Sequence, residues 1–144
     1  MNIRIEEKTS DSLEVLIKCY EADEQVHKLK RHIEAFDSRL QGRLDGKIYF
    51  ICHDDILYFE SVDNRTFIYT ADNVYETQLR LYELEEAVSR KDFLRISKSQ
   101  IANINKITAL KPEINRTVTA ELTNGERLSI SRKYVKALRS LLEI

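Results

Sequence analysis

Residues that break or cross-link a chain are scarce in this sequence of 144 residues. It has three glycines, one proline, two cysteines and no tryptophan. The glycines, Gly42, Gly46 and Gly125, are too few and too scattered to build a glycine-rich phosphate loop. No apolar run approaches the roughly 20 residues that a membrane-spanning helix needs. The sequence therefore argues against a P-loop enzyme and against an integral membrane protein.

The cysteines and the first residues indicate the compartment. Cys19 and Cys52 lack the spacing of a metal or redox motif. Buried small hydrophobic side chains are the simpler interpretation of both, although a disulfide stays open. The first residues mix both charges and lack the apolar stretch of a secretory signal. We expect a protein of the reducing cytoplasm.

The charges are balanced overall but unevenly distributed. The chain has 23 basic and 24 acidic residues. Residues 41–92 carry 6 basic and 11 acidic side chains, whereas residues 93–144 carry 10 basic and 4 acidic ones. An acidic front followed by a basic last third indicates a polyanionic partner for that last third.

Residues 1–41 predict a small strand-strand-helix segment. Short apolar patterns at 3–5 and 13–17 are typical of strands. After them, apolar residues recur at helical spacing, at Val26, Leu29, Ile33, Phe36 and Leu40. This stripe either packs on the two strands of its own chain or pairs with a second chain as a dimer seam.

Residues 42–144 predict a second, β-rich unit. Strands are expected at 47–52, 55–60, 66–70, 74–76, 93–96, 107–111, 117–122 and 127–130. A short helix through Val88 is expected after a Thr77 cap. A final helix is expected after a Ser131 cap, with Val135, Leu138 and Leu142 on its buried face. Asn124-Gly125 is a strong hairpin signal. The fold class is therefore mainly β (α+β) and mostly antiparallel.

Groups that support catalysis or metal binding do not come together in the sequence. His27 and His32 are five residues apart, which is off the spacing that puts two ligands on one helix face. His53 lies beside Asp54 and Asp55, but no nucleophile motif accompanies it, and a polar turn is the simpler interpretation. We expect no enzyme, no metal, no cofactor and no small-molecule substrate.

Two polar patches interrupt the β pattern with donors and few acids. The first is the turn Asn64-Arg65-Thr66, which is either a plain hairpin tip or a contact with a ligand. The second runs from Arg95 to Gln100 and includes Ser97, Lys98 and Ser99; no acid follows it until Glu113. A solvated loop usually mixes both signs, so phosphate or base contact is an equal alternative for the second patch.

A third patch lies at the start of the final helix. Arg132 and Lys133 occupy its first turn, where the helix dipole disfavours cations by about 0.3–1 kcal/mol each. No acid appears in this helix before Glu143. This concentration of positive potential favours an anion at the helix end, with solvated surface cations as the alternative. Arginine and lysine bind phosphates or guanine edges, and asparagine or glutamine binds adenine.

The segments that carry these patches resemble the LytTR DNA-binding domain of bacterial transcription regulators. The resemblance covers about residues 45–144. It rests on three ordered segments, Asp55–Ser61 with the Asp63-Asn64-Arg65 turn, Phe93–Ile107, and Asn124-Gly125 followed by Leu128–Tyr134. Ala102-Asn103 stands where relatives more commonly have Val-Asn. Many relatives also carry a receiver domain, for which the 40 preceding residues are too short, so the chain resembles the stand-alone regulators.

The resemblance implies a fold, a partner and a set of contacts. The fold is an elongated arrangement of antiparallel β-sheets with a short middle helix and a C-terminal helix, and it binds DNA through loops. Arg132 and Lys98 fall at the family's base-contacting positions, and Asn64-Arg65-Thr66 falls in its first DNA-contacting loop. Phosphate contacts are expected from Arg95, Ser97, Ser99, Lys133 and Lys136. By analogy, a homodimer and a small membrane-protein regulator are implied as further partners.

The sequence therefore predicts a cytoplasmic transcription regulator that reads the major groove of double-stranded DNA, as a homodimer on repeated sites. One alternative is a non-enzymatic protein-interaction module, an anti-regulator whose basic face docks an acidic protein or a membrane surface. An RNA-binding protein is a further alternative, less favoured because paired exposed aromatic residues on one strand are lacking.

Overall fold

The computed structural model describes residues 1–7, 14–36 and 39–144, which form ten strands and three α-helices. The helices are α1 (Glu24–Phe36), α2 (Leu81–Ala87) and α3 (Arg132–Leu142). The strands are β1 (Arg39–Leu44), β2 (Lys47–Cys52), β3 (Ile56–Val62), β4 (Arg65–Thr70), β5 (Val74–Thr77), β6 (Phe93–Arg95), β7 (Gln100–Asn103), β8 (Ile107–Pro112), β9 (Val118–Leu122) and β10 (Arg127–Ile130). Short 3-10 turns at His53–Asp55 and Ile104–Lys106 precede β3 and β8.

The strands form two antiparallel sheets. Seven of them make one sheet in the order β2-β1-β5-β4-β3-β7-β6, and the other three make a second sheet in the order β10-β9-β8. The prediction of a mainly β, antiparallel fold with a short middle helix and a C-terminal helix is confirmed. Predicted bounds for β2 and β10 match the observed ones.

Strand β3 contributes side chains to both hydrophobic cores, so both of its faces are buried. A bulge between Ile56 and Tyr58 shifts the register against β4. Phe59 and Ile56 face a core that α2 closes with Leu84. Leu57 and Tyr58 face a second core, formed with the three-stranded sheet and with α3. Burial on both faces explains why this strand reads as a continuous apolar run rather than an alternating one.

The second core fixes α3 against the three-stranded sheet. Leu138, on the predicted buried face of α3, is 1% exposed and packs with Ile130 and Leu128 of β10. Val135 and Leu142 are half-buried against the same cluster. The turn between β9 and β10 contains Gly125 at φ +87°, as the hairpin prediction required.

The prediction of two N-terminal strands is wrong for the residues that the structure describes there. Residues 3–5 and 14–17 form no strand, and side chains such as Ile3 and Leu16 are exposed; Leu13 lies outside the described residues. Local β propensity does not form a strand unless a neighbouring strand accepts its hydrogen bonds.

Helix α1 is confirmed, but it ends at Phe36. Val26, Leu29 and Ile33 are half-buried, and the helix packs beside the 3-10 turn at 53–55 instead of on N-terminal strands. Leu40 belongs to β1, which crosses the predicted boundary at residues 41/42. That boundary therefore falls inside a strand of the large sheet.

Helix α2 begins later than predicted. Thr77 does not cap it, because Thr77 is the last residue of β5 and its hydroxyl accepts a hydrogen bond from the Leu79 N–H. The helix begins at Leu81, and the Glu83 carboxylate reaches back to accept the Arg80 N–H. A glutamate at the third helical position satisfies one of the free N–H groups of a first turn.

Candidate nucleic-acid interface

The first predicted patch is the tip of the β3–β4 hairpin. Val62 and Arg65 are paired, so Asp63 and Asn64 form a two-residue turn. Their φ angles are +51° and +62°, the left-handed values that a type I′ turn requires at both positions. Asn64 is exposed, whereas Thr66 is only 3% exposed. The geometry therefore does not support the predicted DNA contact of the Thr66 side chain.

The second patch lies directly beside this hairpin. The Ser61 N–H donates to the Ser99 carbonyl at 2.8 Å, which extends the β3–β7 pairing by one step. One residue further along, the Gln100 side chain donates to the Glu60 carboxylate at 2.6 Å. Lys98 is exposed at the top of this loop. The large sheet thus places two polar patches, some 35 positions apart in sequence, side by side at the same end of its strands.

Two hydrogen bonds from Ser131 connect the third patch to the second. The Ser131 N–H and hydroxyl both donate to the Ile96 carbonyl, at 2.9 and 3.1 Å. Ile96 immediately precedes the second patch, and Ser131 immediately precedes α3. Ser131 occupies the predicted cap position, but its hydroxyl binds Ile96 and not the first turn of α3. Arg132 and Lys133 therefore begin α3 next to the 97–99 loop.

Arg95 supports this loop from within the protein. Its Nε donates to the Ser97 carbonyl at 3.0 Å, its Nη2 to the Lys98 carbonyl at 2.6 Å, and its Nη1 pairs with Glu85. The three contacts occupy every nitrogen of the guanidinium group, whose planar fork suits such multiple bonding. Ser97 and Ser99 are also half-buried, and the Ser97 hydroxyl accepts the Ser99 N–H. These residues shape the loop that presents Lys98.

Four exposed cations surround the junction of the patches. In the part of the chain that the structure describes, no carboxylate forms an ion pair with any of them: Lys98, Arg132, Lys133 and Lys136. The first turn of α3 contains no acid. Lys133 lies 5.5 Å from the centre of the Tyr134 ring, which favours a fixed position for its ammonium group. Such unneutralised charge is suited to phosphate groups.

Arg65 differs from these cations because an acid neutralises it. Its Nε and Nη2 donate to the two carboxylate oxygens of Glu76, at 3.0 and 2.7 Å. These bonds lower the pKa of Glu76 and raise the pKa of Arg65, and the charge of Arg43 lowers the pKa of Glu76 further. The Arg65 guanidinium also lies 5.3 Å from the Phe67 ring centre.

A cleft beside the hairpin contains two further arginines and a glutamine that the sequence patterns did not indicate. Arg43, Gln78 and Arg80 line it together with Asn64 and Arg65. Arg43 belongs to β1 and pairs directly with Glu76 of β5. No local pattern identifies these residues, because Arg43 and Glu76 are 33 positions apart in sequence and meet only in the sheet.

The histidines and acids do not form a metal centre in the described ranges, where no three metal-binding side chains converge. His53 is buried, and its ring meets that of Phe93 edge to face with centres 6.3 Å apart. Burial lowers the pKa of His53, and the charge of Asp92 opposes that shift in part. His32 approaches Asp54 at 3.6 Å and ties α1 to the turn at 53–55. This region connects α1 to the large sheet.

Within the described residues, no helix has the length and apolar character needed to cross a membrane. Helices α1 and α3 are both amphipathic and carry charged residues on one face.

Comparison with known proteins places the chain in a family. Residues 46–143 match the model of the LytTr DNA-binding domain. A solved LytTr DNA-binding domain from Bacillus cereus superimposes with a TM-score of 0.71 at 25% identity, covering 75% of this chain and 99% of that domain.

Two relatives extend the comparison. The sensory transduction protein LytT of Bacillus anthracis is 27% identical over 93% of this chain, which spans 62% of that protein. A protein of Staphylococcus aureus strain MSSA476 named as an HTH-type transcriptional regulator is 28% identical over 100% of this chain and 98% of its own length. A helix-turn-helix motif consists of two helices joined directly by a short turn. In the described part of this chain, strands separate all three α-helices, so no two of them form such a motif. The chain belongs to the LytTR family, and residues 46–143 form its DNA-binding domain.

Proposed function

We propose that this protein is a transcription regulator that binds double-stranded DNA sequence-specifically, in the major groove and through loops. One observation carries the proposal: two main-chain hydrogen bonds, from Ser61 to Ser99 and from Ser131 to Ile96, bring three separate polar patches together at one end of the strands. Lys98 and Arg132 lie at that junction, and both are exposed and unneutralised. A surface formed by loops at the ends of strands is suited to DNA binding without a recognition helix.

The exposed cations have different proposed roles. Lys98 and Arg132 contact bases, and Lys133 and Lys136 contact phosphates. Ser97 and Ser99 contribute at most their exposed portions to phosphate, since both are half-buried in the loop. Arg95 acts indirectly, by holding the loop from behind.

Salt titration of DNA binding tests these roles. Lys133→Ala is expected to lower the salt slope of the binding constant by about one unit, uniformly across sequences. Arg132→Ala is expected to cost about 1–3 kcal/mol at one base position and to relax the preference there. Lys91→Ala is the matched control, because Lys91 is exposed before β6, away from the Arg95 end of that strand. Parental binding by both interface variants contradicts the assignment.

The same titration separates the proposal from its rivals. Salt-sensitive binding with base preference excludes a protein-docking module as the main function. Failure to bind any duplex at low salt, together with capture of an acidic protein, supports the anti-regulator. Preference for single-stranded RNA over duplex DNA supports the RNA-binding alternative. A regulator of chromosomal DNA acts in the cytoplasm of a bacterium, so we propose that location as well.

The homodimer is part of the proposal, and β2 supplies a candidate interface. This strand is an edge of the large sheet, and Ile48 and Phe50 on it are 53% and 63% exposed. An open apolar edge favours pairing with another strand. Two copies of β2, paired antiparallel about a two-fold axis, place Lys47 of each beside the acidic Asp54-Asp55 end of the other. The α1 stripe is less suited, because it already packs beside the turn at 53–55.

Light scattering of the protein and of Phe50→Glu tests this interface. The parent is expected to be dimeric and the variant monomeric, because a buried carboxylate without a partner opposes pairing. Tyr82→Glu is the control, since Tyr82 is 65% exposed on α2. A parent that stays monomeric at every concentration contradicts the homodimer. The membrane-protein partner rests on the resemblance alone and stays a prediction.

A further inference from the structure

Arg65 and Glu76 lie on one face of the large sheet, at the hairpin end of β4. Glu76 pairs directly with Phe67 of β4 and with Arg43 of β1. Directly paired residues share a face of a sheet, and so do residues two positions apart on one strand. Arg65, Phe67, Glu76 and Arg43 therefore form a row across three strands. Glu76 lies between the two arginines in this row.

The hydrogen bonds between Arg65 and Glu76 use one particular side of the guanidinium group. Nε and one hydrogen of Nη2 face the Glu76 carboxylate. The remaining donors are both hydrogens of Nη1 and the second hydrogen of Nη2, which form the end of the group. That end has the parallel pair of N–H bonds that fits O6 and N7 of guanine in the major groove.

Two further contacts determine which ligand suits Arg65. The Phe67 ring, 5.3 Å from the Arg65 Cζ atom, supports the guanidinium plane. A phosphate at Arg65 would bring a second negative charge close to the Glu76 carboxylate, and two like charges a few ångströms apart repel. The acceptors of guanine are neutral and add no such charge. The pair therefore favours a base over a phosphate.

From this arrangement we infer that Glu76 is a positioning residue that holds Arg65 end-on to one guanine, so that the hairpin tip selects guanine at a fixed place in the binding site. The inference rests on the proposed function, because it requires the hairpin to enter the major groove. It assigns to Arg65 a specificity role and to Glu76 a role without DNA contact. The role of Glu76 does not follow from the sequence, where Glu76 is one acid among the eleven of residues 41–92.

Selection from a randomised DNA duplex, followed by binding measurements on single-base variants, tests the inference. The parent is expected to select a motif with guanine at one position that Arg65→Lys no longer selects. Lysine keeps the charge but has no paired N–H bonds, so the preference for guanine over other bases is expected to fall by about 5- to 150-fold. The salt slope is expected to stay unchanged, because no phosphate contact is lost.

Glu76→Gln tests the positioning role against a purely electrostatic one. Removing a negative charge near DNA strengthens binding to all sequences alike. Loss of positioning instead lowers the preference at the same guanine position that Arg65→Lys affects. Glu86→Gln is the matched control, because it makes the same change of net charge at an exposed residue of α2. Thermal unfolding of each variant shows whether the fold is retained.

Each result has a definite consequence. Loss of guanine preference at one shared position in Arg65→Lys and Glu76→Gln, with Glu86→Gln like the parent, supports the inference. If the parent selects a motif that both variants also select unchanged, the inference is overturned and the proposed function stands. If the parent selects no sequence at all, the proposed function itself fails.

Discussion

Ser131 donates two hydrogen bonds to a single acceptor, the carbonyl oxygen of Ile96, from its N–H at 2.9 Å and its hydroxyl at 3.1 Å. The first residue of α3 is thereby fixed beside the end of β6. Lys98 and Arg132, 34 positions apart in sequence, are held close by the main chain on both sides. The placement of the proposed interface thus depends on a serine to which no DNA contact is assigned.

Ser131→Ala is expected to loosen this junction. The variant keeps the N–H bond and loses the hydroxyl bond, which costs about 0.5–1.5 kcal/mol of the free energy of unfolding. DNA affinity at fixed salt is expected to fall as well, because Arg132 is less firmly placed. Urea unfolding and a binding titration measure the two effects. Ser129→Ala, at an exposed residue of β10, is the control; equal behaviour of the two variants contradicts the role of Ser131.

Arg95 is expected to act on DNA binding through the loop and not through phosphate. Arg95→Ala removes the support of the Ser97 and Lys98 carbonyls, so affinity is expected to fall. The salt slope is expected to stay as in the parent, whereas Lys133→Ala, which removes a proposed phosphate contact, lowers it by about one unit. Binding constants at several salt concentrations separate these effects. A salt slope lowered by one unit in Arg95→Ala would contradict this indirect role and support the direct phosphate contact that the sequence predicts.

Tyr58 connects the two sheets, and its loss is expected to destabilise the fold. Its hydroxyl donates to the Glu126 carboxylate at 2.8 Å, and its ring stacks on Tyr69 with centres 4.2 Å apart. Burial, followed by the hydrogen bond to Glu126, raises the pKa of Tyr58 well above its ordinary value, so the hydroxyl stays a donor. Tyr58→Phe keeps the stacking and loses a bond to a charged acceptor, worth about 1.5–3 kcal/mol.

Chemical denaturation of Tyr58→Phe beside Tyr82→Phe measures this contribution. Tyr82 is 65% exposed, so its hydroxyl is expected to matter little. An unfolding midpoint for Tyr58→Phe equal to that of the control contradicts a link between the sheets through Glu126.

The buried His53 predicts a loss of stability in mild acid. Burial lowers its pKa below 6.5, with the charge of Asp92 opposing the shift. Near pH 6 the His53 side chain therefore binds a proton more readily in the unfolded chain than in the folded one. The contribution is complete above about pH 6.5 and declines as the pH falls toward the folded pKa. His53→Gln is expected to weaken this pH dependence, measured as the urea midpoint at about pH 7.5 and about pH 5.5.

His27→Gln is the control for that experiment, because His27 is exposed on α1. A parent whose midpoint is the same at both pH values contradicts the role of His53. So does a His53→Gln variant that keeps the full pH dependence of the parent.

Patterns that depend on neighbouring residues were predicted well. β2 and β10 have the expected bounds, and α3 buries Leu138 as its helical spacing requires. Segments whose structure depends on a partner far along the chain were not predicted correctly. The residues at 3–5 and 14–17 have strand-like composition but no strand beside them. Leu40 continues the helical spacing of α1 in the sequence, but it belongs to β1, where it pairs with Ile51 of β2. Tertiary contacts override local preference in both cases.

Some features of the candidate site were likewise predictable from the sequence, and others were not. The sequence identified the three polar patches, because charge and residue type are visible without a fold. It predicted a DNA contact for each of Thr66, Arg95 and Lys98. The structure instead buries the Thr66 side chain, bonds the Arg95 guanidinium to two carbonyls and Glu85, and leaves only Lys98 exposed. Burial and hydrogen bonding are decided by neighbours far along the chain, which a single sequence does not show.

By itself, the sequence determined which residues are available: a basic last third, an antiparallel β pattern and the three patches of the family. Only the tertiary structure decided how they are used. Pairing of β3 with β7 and the bond from Ser131 to Ile96 bring the patches to one edge, and pairing of β5 with β1 and β4 places Glu76 between two arginines. The physical reason is that composition and period are local properties, whereas ion pairing, burial and strand register arise only when distant segments meet.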